Sequence, residues 1–134
     1  MRVAVLRRLA GYHLACAAGI AQFDYMDQKS FRTMLDEKSR LFESLARDIA
    51  GRCKWKTRLS LSGVGFSYGL QVFDRKTGMP DRLTAFKIVF RCYELGLLII
   101  TVAGNTIRLQ PPFSISKENL KKGFELLGRA MDDI

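Results

Sequence analysis

The sequence predicts an α+β fold, with N-terminal helices followed by a small sheet and helices packed against it. Three observations carry that expectation. An alanine-rich stretch leads into a segment whose apolar residues recur at helical spacing. The period then switches to two near residue 64. Beyond that, short apolar runs punctuated by Gly, Asn and Pro alternate with two further helical patterns. A chain of 134 residues is one domain's worth and can bury a sizeable core.

Residues from about His13 to Tyr25 form the first expected helix. The polar turn Asp27-Gln28-Lys29-Ser30 separates it from a second, whose Phe31, Leu35, Phe42, Leu45 and Ile49 share one face and which Gly51 closes. From Val64 to Val72 the even positions are large and apolar and the odd ones small or polar, which predicts one half-buried strand. Asp74 to Pro80 reads as a loop leading to Asp81, a helix N-cap. Leu83, Phe86, Val89, Phe90 and Tyr93 mark the helix that follows, and Gly96 stops it. Leu97 to Val102 suits a buried strand, Gly104-Asn105 a tight turn, and Thr106 to Gln110 an alternating strand ended by Pro111-Pro112. Ser116 then caps a last helix, with Ile115 and Leu120 as a hydrophobic staple and Leu120, Phe124, Leu127, Met131 and Ile134 as its buried stripe.

The net charge of +9, from 22 Lys and Arg against 13 Asp and Glu, raises the prospect of an anionic partner without naming one. Cys16, Cys53 and Cys92 are odd in number and show no zinc spacing, so they read as reduced, mostly buried thiols of a cytosolic protein. Arg7, Arg8, Tyr12 and His13 interrupt the only stretch resembling a secretion signal, and the longest apolar run, Leu97 to Ala103, is too short to span a bilayer. A cytoplasmic protein without membrane spans is expected.

Few residues are candidates for chemistry. His13 is the only histidine, which excludes a multi-histidine metal site; beside an alanine-rich helix it reads as structural. Gly63-Val64-Gly65 lacks the third glycine of a dinucleotide loop and does not open a helix. Arg108 faces the same side of its strand as Thr106 and Gln110. A guanidinium on a rigid strand can grip a carboxylate through two parallel hydrogen bonds, the alternative being a solvated strand arginine. If the run from Arg52 to Arg58 is extended, Arg52, Lys54, Lys56 and Arg58 fall on one face and Trp55 on the other. Such a run could track a phosphate backbone, or could be a solvated linker with Trp55 packed inward, and no nucleic-acid fold accompanies it.

Taken in order, these segments resemble the C-terminal part of class III aminotransferases, the fold-type-I enzymes that include 4-aminobutyrate and ornithine aminotransferases and dialkylglycine decarboxylase. Gly11 to Gly19 resembles the family's Gly-Asn-Pro-Leu-Ala-Cys-Ala-Ala pattern, and Gly63 to Val72 its Gly-x-Gly-Leu-x-x-Gly-hydrophobic-Glu strand. Leu95-Gly96-Leu97-Leu98 resembles the strand entry after the small-domain helix. Gly104 to Phe113 resembles the Gly-Asn-Val-Ile-Arg-x-x-Pro-Pro-Leu segment, the most specific of the four.

The resemblance implies an unmatched extension over residues 1–10, a helical segment over 11–50 that links to a large domain, and the aminotransferase small domain over 51–134. It implies that Arg108 binds the substrate carboxylate, and that pyridoxal phosphate is the cofactor of the intact enzyme, with an amino acid or keto acid as substrate. The Schiff-base lysine of the family lies upstream of the match, and Arg8-Leu9-Ala10 stands where a phosphate-binding hydroxyl is usual. The chain alone is therefore expected to have no catalytic or cofactor-binding residue, to hold no metal, and to act within a homodimer or with other aminotransferase subunits. The alternative is a non-catalytic basic module for nucleic acid or for full-length aminotransferase subunits.

Overall fold

A computed structural model describes residues 12–52 and 57–134. The elements are helices α1 (His13–Met26) and α2 (Lys29–Gly51), strands β1 (Thr57–Val64) and β2 (Ser67–Asp74), helix α3 (Arg82–Glu94), strands β3 (Ile100–Val102) and β4 (Thr106–Leu109), and helix α4 (Lys117–Asp132). The α+β class expected from the sequence is the class observed. The chain divides into two units between Asp36 and Glu37, within α2.

In the first unit, α1 buries none of its residues, although alanine favours its helical state. Leu14, Ile20 and Phe23 are exposed, and so is Cys16, against the expectation of a buried thiol. The turn into α2 is shorter than its polar sequence suggested, with Lys29 and Ser30 already helical. Asp27 holds Arg32 across it, and the Tyr25 and Phe31 rings meet edge to face at 5.1 Å.

The second unit is built on a four-stranded antiparallel sheet in the order β1-β2-β4-β3. The single strand expected over Val64–Val72 is instead the end of β1, a turn at Gly65-Phe66, and most of β2. Gly63 and Gly65 explain the reversal. Gly63 has φ 150° and a Cβ there would stand 2.2 Å from the Ser67 carbonyl oxygen, while Gly65 takes φ 61°. Val64 is consequently exposed at the hairpin tip, whereas Phe66, Tyr68, Leu70 and Val72 keep the expected alternation and are buried.

One face of this sheet is the core side. Leu70, Val72, Ile107 and Leu109 lie there, and Phe42 from α2 stacks on Phe66 at 5.1 Å and meets Phe124 of α4 edge-on at 5.4 Å. Burying such aromatic and aliphatic side chains contributes roughly 1.5–3 kcal/mol each. In α2, Ala46 rather than Leu45 is fully buried, and Lys38 is buried beside Phe42. The Lys38 stem covers apolar surface while its ammonium donates to the Phe113 carbonyl oxygen at 3.1 Å.

Asp81 caps α3 by accepting from the Thr84 N–H at 2.9 Å, and Ser116 caps α4 by accepting from the Asn119 N–H at 3.1 Å. The core side of α3 is Ala85, Ile88 and Cys92, so Leu83, Phe86, Phe90 and Tyr93, which mark the helix in the sequence, point outward. In α4 the expected stripe Leu120, Phe124, Leu127 and Met131 is buried, but Ile134 lies beyond the helix and is exposed. The strand expected from Leu97 begins only at Ile100, and Leu98 and Ile100 are exposed. The expected Gly104-Asn105 turn is present, and it is tied to β2: the Asn105 side-chain amide donates to the Val72 carbonyl at 2.9 Å, and the Asn105 carbonyl accepts from the Val72 N–H at 2.9 Å.

Candidate functional site

β4 presents Arg108 on the sheet face opposite the helices. Its neighbours in sequence, Ile107 and Leu109, are buried in the core, which fixes the strand and leaves the guanidinium exposed. The register places Gly69 of β2 and Ile100 of β3 directly opposite Arg108 on either side, and Ser62 of β1 opposite Gly69. One row across the sheet therefore reads Ser62, Gly69, Arg108, Ile100. The adjacent row reads Ser60, Gln71, Thr106, Val102. Among the described residues, no ion pair engages Arg108.

Arg108 borders two depressions. The larger, about 510 Å³, is apolar, with Leu98, Ile100, Pro111, Pro112 and Leu120 in its walls. The smaller, about 370 Å³, is lined by Ser62, Gly63, Ser67, Tyr68, Gly69, Val102 and Arg108. Arg108 is the residue that the two linings share. Behind Arg108 the Pro111-Pro112-Phe113 segment is held by the Lys38 ammonium on the Phe113 carbonyl. Sequence reading missed Lys38, because its role depends on a contact 75 residues away.

The other sequence candidates do not assemble with Arg108. His13 stands exposed at the start of α1. Of the basic run, Cys53, Lys54, Trp55 and Lys56 lie outside the described residues, as do residues 1–10 and Gly11. Arg52 lies 3.9 Å from Asp132, and its guanidinium is where a Cβ on Gly128 would be. Arg58 sits over the Phe73 ring at 4.9 Å from the centroid. Burial pushes the Cys92 thiol up to about 11. No group of three or more metal-ligating side chains occurs among the described residues, and none of their helices is long and apolar enough to cross a membrane.

Fold and sequence together define a class: this chain matches, as a segment, the class III pyridoxal-phosphate-dependent aminotransferases of fold type I. In particular, it is 33% identical over 129 residues to the leucine/methionine racemase of Thermococcus litoralis, covering 94% of this chain and 28% of that protein. It is 29% identical over 124 residues to the acetylornithine aminotransferase of Caldanaerobacter subterraneus subsp. tengcongensis, covering 92% of this chain and 29% of that protein. The structure superposes on an aminotransferase of Bacillus anthracis with TM-score 0.73 and 26% identity, covering 90% of this chain and 28% of that one. No family model matches the sequence. The chain spans a little over a quarter of the length of the curated relatives it matches.

The structure also superposes, with TM-score 0.75 and 23% identity, on an aminotransferase of Vibrio fluvialis bound to pyridoxal phosphate. That cofactor needs a lysine for its aldehyde, an acid for its pyridine nitrogen and donors for its phosphate. Neither depression is lined by a lysine or a carboxylate. The two depressions therefore do not fit the cofactor by themselves.

Proposed function

We propose that this chain is the C-terminal small-domain segment of a class III pyridoxal-phosphate enzyme acting on the amino group of an amino acid, and that Arg108 binds the substrate carboxylate. The observation that supports this best is Arg108 itself, held on β4 between buried Ile107 and Leu109 at the rim of an apolar cleft, with no ion-pair partner among the described residues. A carboxylate on that guanidinium is held by charge-assisted hydrogen bonds in a plane the strand fixes. Transamination between an amino acid or amine and a keto acid is the reaction that the resemblance and the acetylornithine aminotransferase likeness favour. Segments supplying the lysine and the cofactor cleft, in a cytoplasmic homodimer or in association with aminotransferase subunits, belong to the same proposal, as does the boundary of the small domain near residue 51. The alternative, a basic module for nucleic acid, has only charge behind it: Arg52 lies 3.9 Å from Asp132 and Arg58 over the Phe73 ring, and no nucleic-acid fold accompanies them.

Racemisation of an α-amino acid is the second reading. It is favoured by the higher identity to the leucine/methionine racemase than to the acetylornithine aminotransferase. Both reactions need the same carboxylate anchor, so Arg108 keeps its role in either.

To separate the readings, residues 12–134 are joined to the preceding part of the Thermococcus litoralis racemase and the hybrid is loaded with pyridoxal phosphate. Transamination predicts keto acid formed from leucine only when a second keto acid accepts the amino group. Racemisation predicts loss of optical rotation without any acceptor. A hybrid that binds the cofactor and does neither contradicts the proposal.

A further inference from the structure

The row across the sheet carries more than Arg108. Ser62 and Arg108 are separated by β2 alone, so their Cα atoms lie two strand spacings apart, about 10 Å. The residue between them is Gly69, which contributes no side chain to the gap. A Cβ placed on Gly69 would stand 3.8 Å from Ser62 Oγ and only 2.9 Å from Thr106 Cγ2. The space directly above Gly69 is therefore taken up by the Thr106 methyl, with the Ser62 hydroxyl at its edge. Ser62, Gly69 and Arg108 line the same depression of about 370 Å³. Among the described residues, no hydrogen bond engages the Ser62 hydroxyl, and Ser62 is exposed.

We propose that Ser62 is a second substrate-binding residue: a carboxylate in the depression that Ser62 and Arg108 share, above the Thr106 methyl, accepts hydrogen bonds from Arg108 on one side and from the Ser62 hydroxyl on the other. The geometry follows from the pleat. The long arginine reaches in from β4, the short serine reaches in from β1, and the Thr106 methyl over Gly69 forms the floor between them. A carboxylate has about four lone-pair sites on its two oxygens, so a guanidinium engaging it from one edge leaves acceptors facing the opposite edge. A hydroxyl placed there adds one neutral-donor bond to the charged ones. Position 69 is glycine because the Thr106 methyl leaves no room for a Cβ there.

This inference rests on the reading of Arg108 as the carboxylate anchor, and the test separates the two. The pyridoxal-phosphate-loaded hybrid is titrated with 13C-carboxyl-labelled 4-methyl-2-oxopentanoate, following the carboxyl resonance and the backbone amides of β1, β2 and β4. The variants are Ser62→Ala, Ser62→Asp and Arg108→Ala; exposed Ser62 tolerates substitution without a core change. The expected result is binding weakened about 2- to 10-fold by Ser62→Ala, abolished by Ser62→Asp through repulsion of the anion, and abolished by Arg108→Ala, with Gly69 among the amides that shift in the unaltered chain. If Arg108→Ala abolishes binding while both Ser62 variants bind like the parent, the Ser62 role is wrong and the Arg108 reading stands. If the parent hybrid does not bind, or Arg108→Ala binds as well as the parent, both are wrong.

Discussion

Helices α3 and α4 both announce themselves by apolar residues at helical spacing, yet they use those residues in opposite ways. α4 buries its stripe, with Leu120, Phe124 and Leu127 closing on the Phe42 cluster and the apolar cleft. α3 turns Leu83, Phe86, Phe90 and Tyr93 outward and packs on the sheet through the smaller Ala85, Ile88 and Cys92. The difference teaches that periodicity finds a helix but does not say which side is inside when both sides are apolar. Sheet distance decides it. α3 touches β2, β3 and β4 together with α4, and small residues let it lie close to all of them.

The largest expected effect sharpens that contrast. Leu127→Ala in α4 should destabilise the chain by about 2–5 kcal/mol, since the residue is buried and its removal leaves a cavity. Phe90→Ser in α3 removes a comparably large residue and should shift stability by no more than about 0.5 kcal/mol. Urea unfolding of both variants checks the pair, and a large loss for Phe90→Ser would mean that the exposed face of α3 is covered. Next come the caps. Asp81→Ala and Ser116→Ala should each cost about 1 kcal/mol in the same assay, because each side chain satisfies an otherwise orphaned N–H of the first turn.

Thiol chemistry sharpens the comparison between the two units. Burial raises the Cys92 thiol to about 11, whereas Cys16 is exposed. In a Cys53→Ser background at pH 8, iodoacetamide should alkylate Cys16 in the folded chain and Cys92 only after denaturation. The smallest effect concerns acid. Asp74 is held below the usual carboxylate range, first by the Thr77 N–H and then by the Thr77 hydroxyl and the Lys76 N–H. A depressed carboxyl contributes stability that is present above its unfolded value and is lost as pH falls through the folded one. Asp74→Asn should therefore lower Tm slightly at pH 7 and not at all at pH 2, measured by thermal melts across that range.

Much of this was legible in the sequence wherever the signal is local. Asp81 and Ser116 are caps by residue type, Gly104-Asn105 turns the chain, and Pro111-Pro112 ends β4, so the face of Arg108 followed from alternation alone. β1 was not read, because Val64 looks like the start of a strand when it is the exposed tip of a hairpin that Gly63 and Gly65 force. Once that hairpin is missed, Ser62 cannot be placed opposite Gly69. The resemblance pointed to Arg108 and was silent on Ser62, and Lys38 reaches Phe113 through a contact that no local pattern encodes.

The central claim is that Arg108 anchors a substrate's carboxylate, and the most direct measurement is the KM of the pyridoxal-phosphate-loaded hybrid with and without Arg108→Ala. The account predicts a KM for leucine raised about 10- to 100-fold, the loss of charge-assisted hydrogen bonds, with the cofactor's absorbance unchanged and partial recovery at most in Arg108→Lys. An unchanged KM in Arg108→Ala would contradict it.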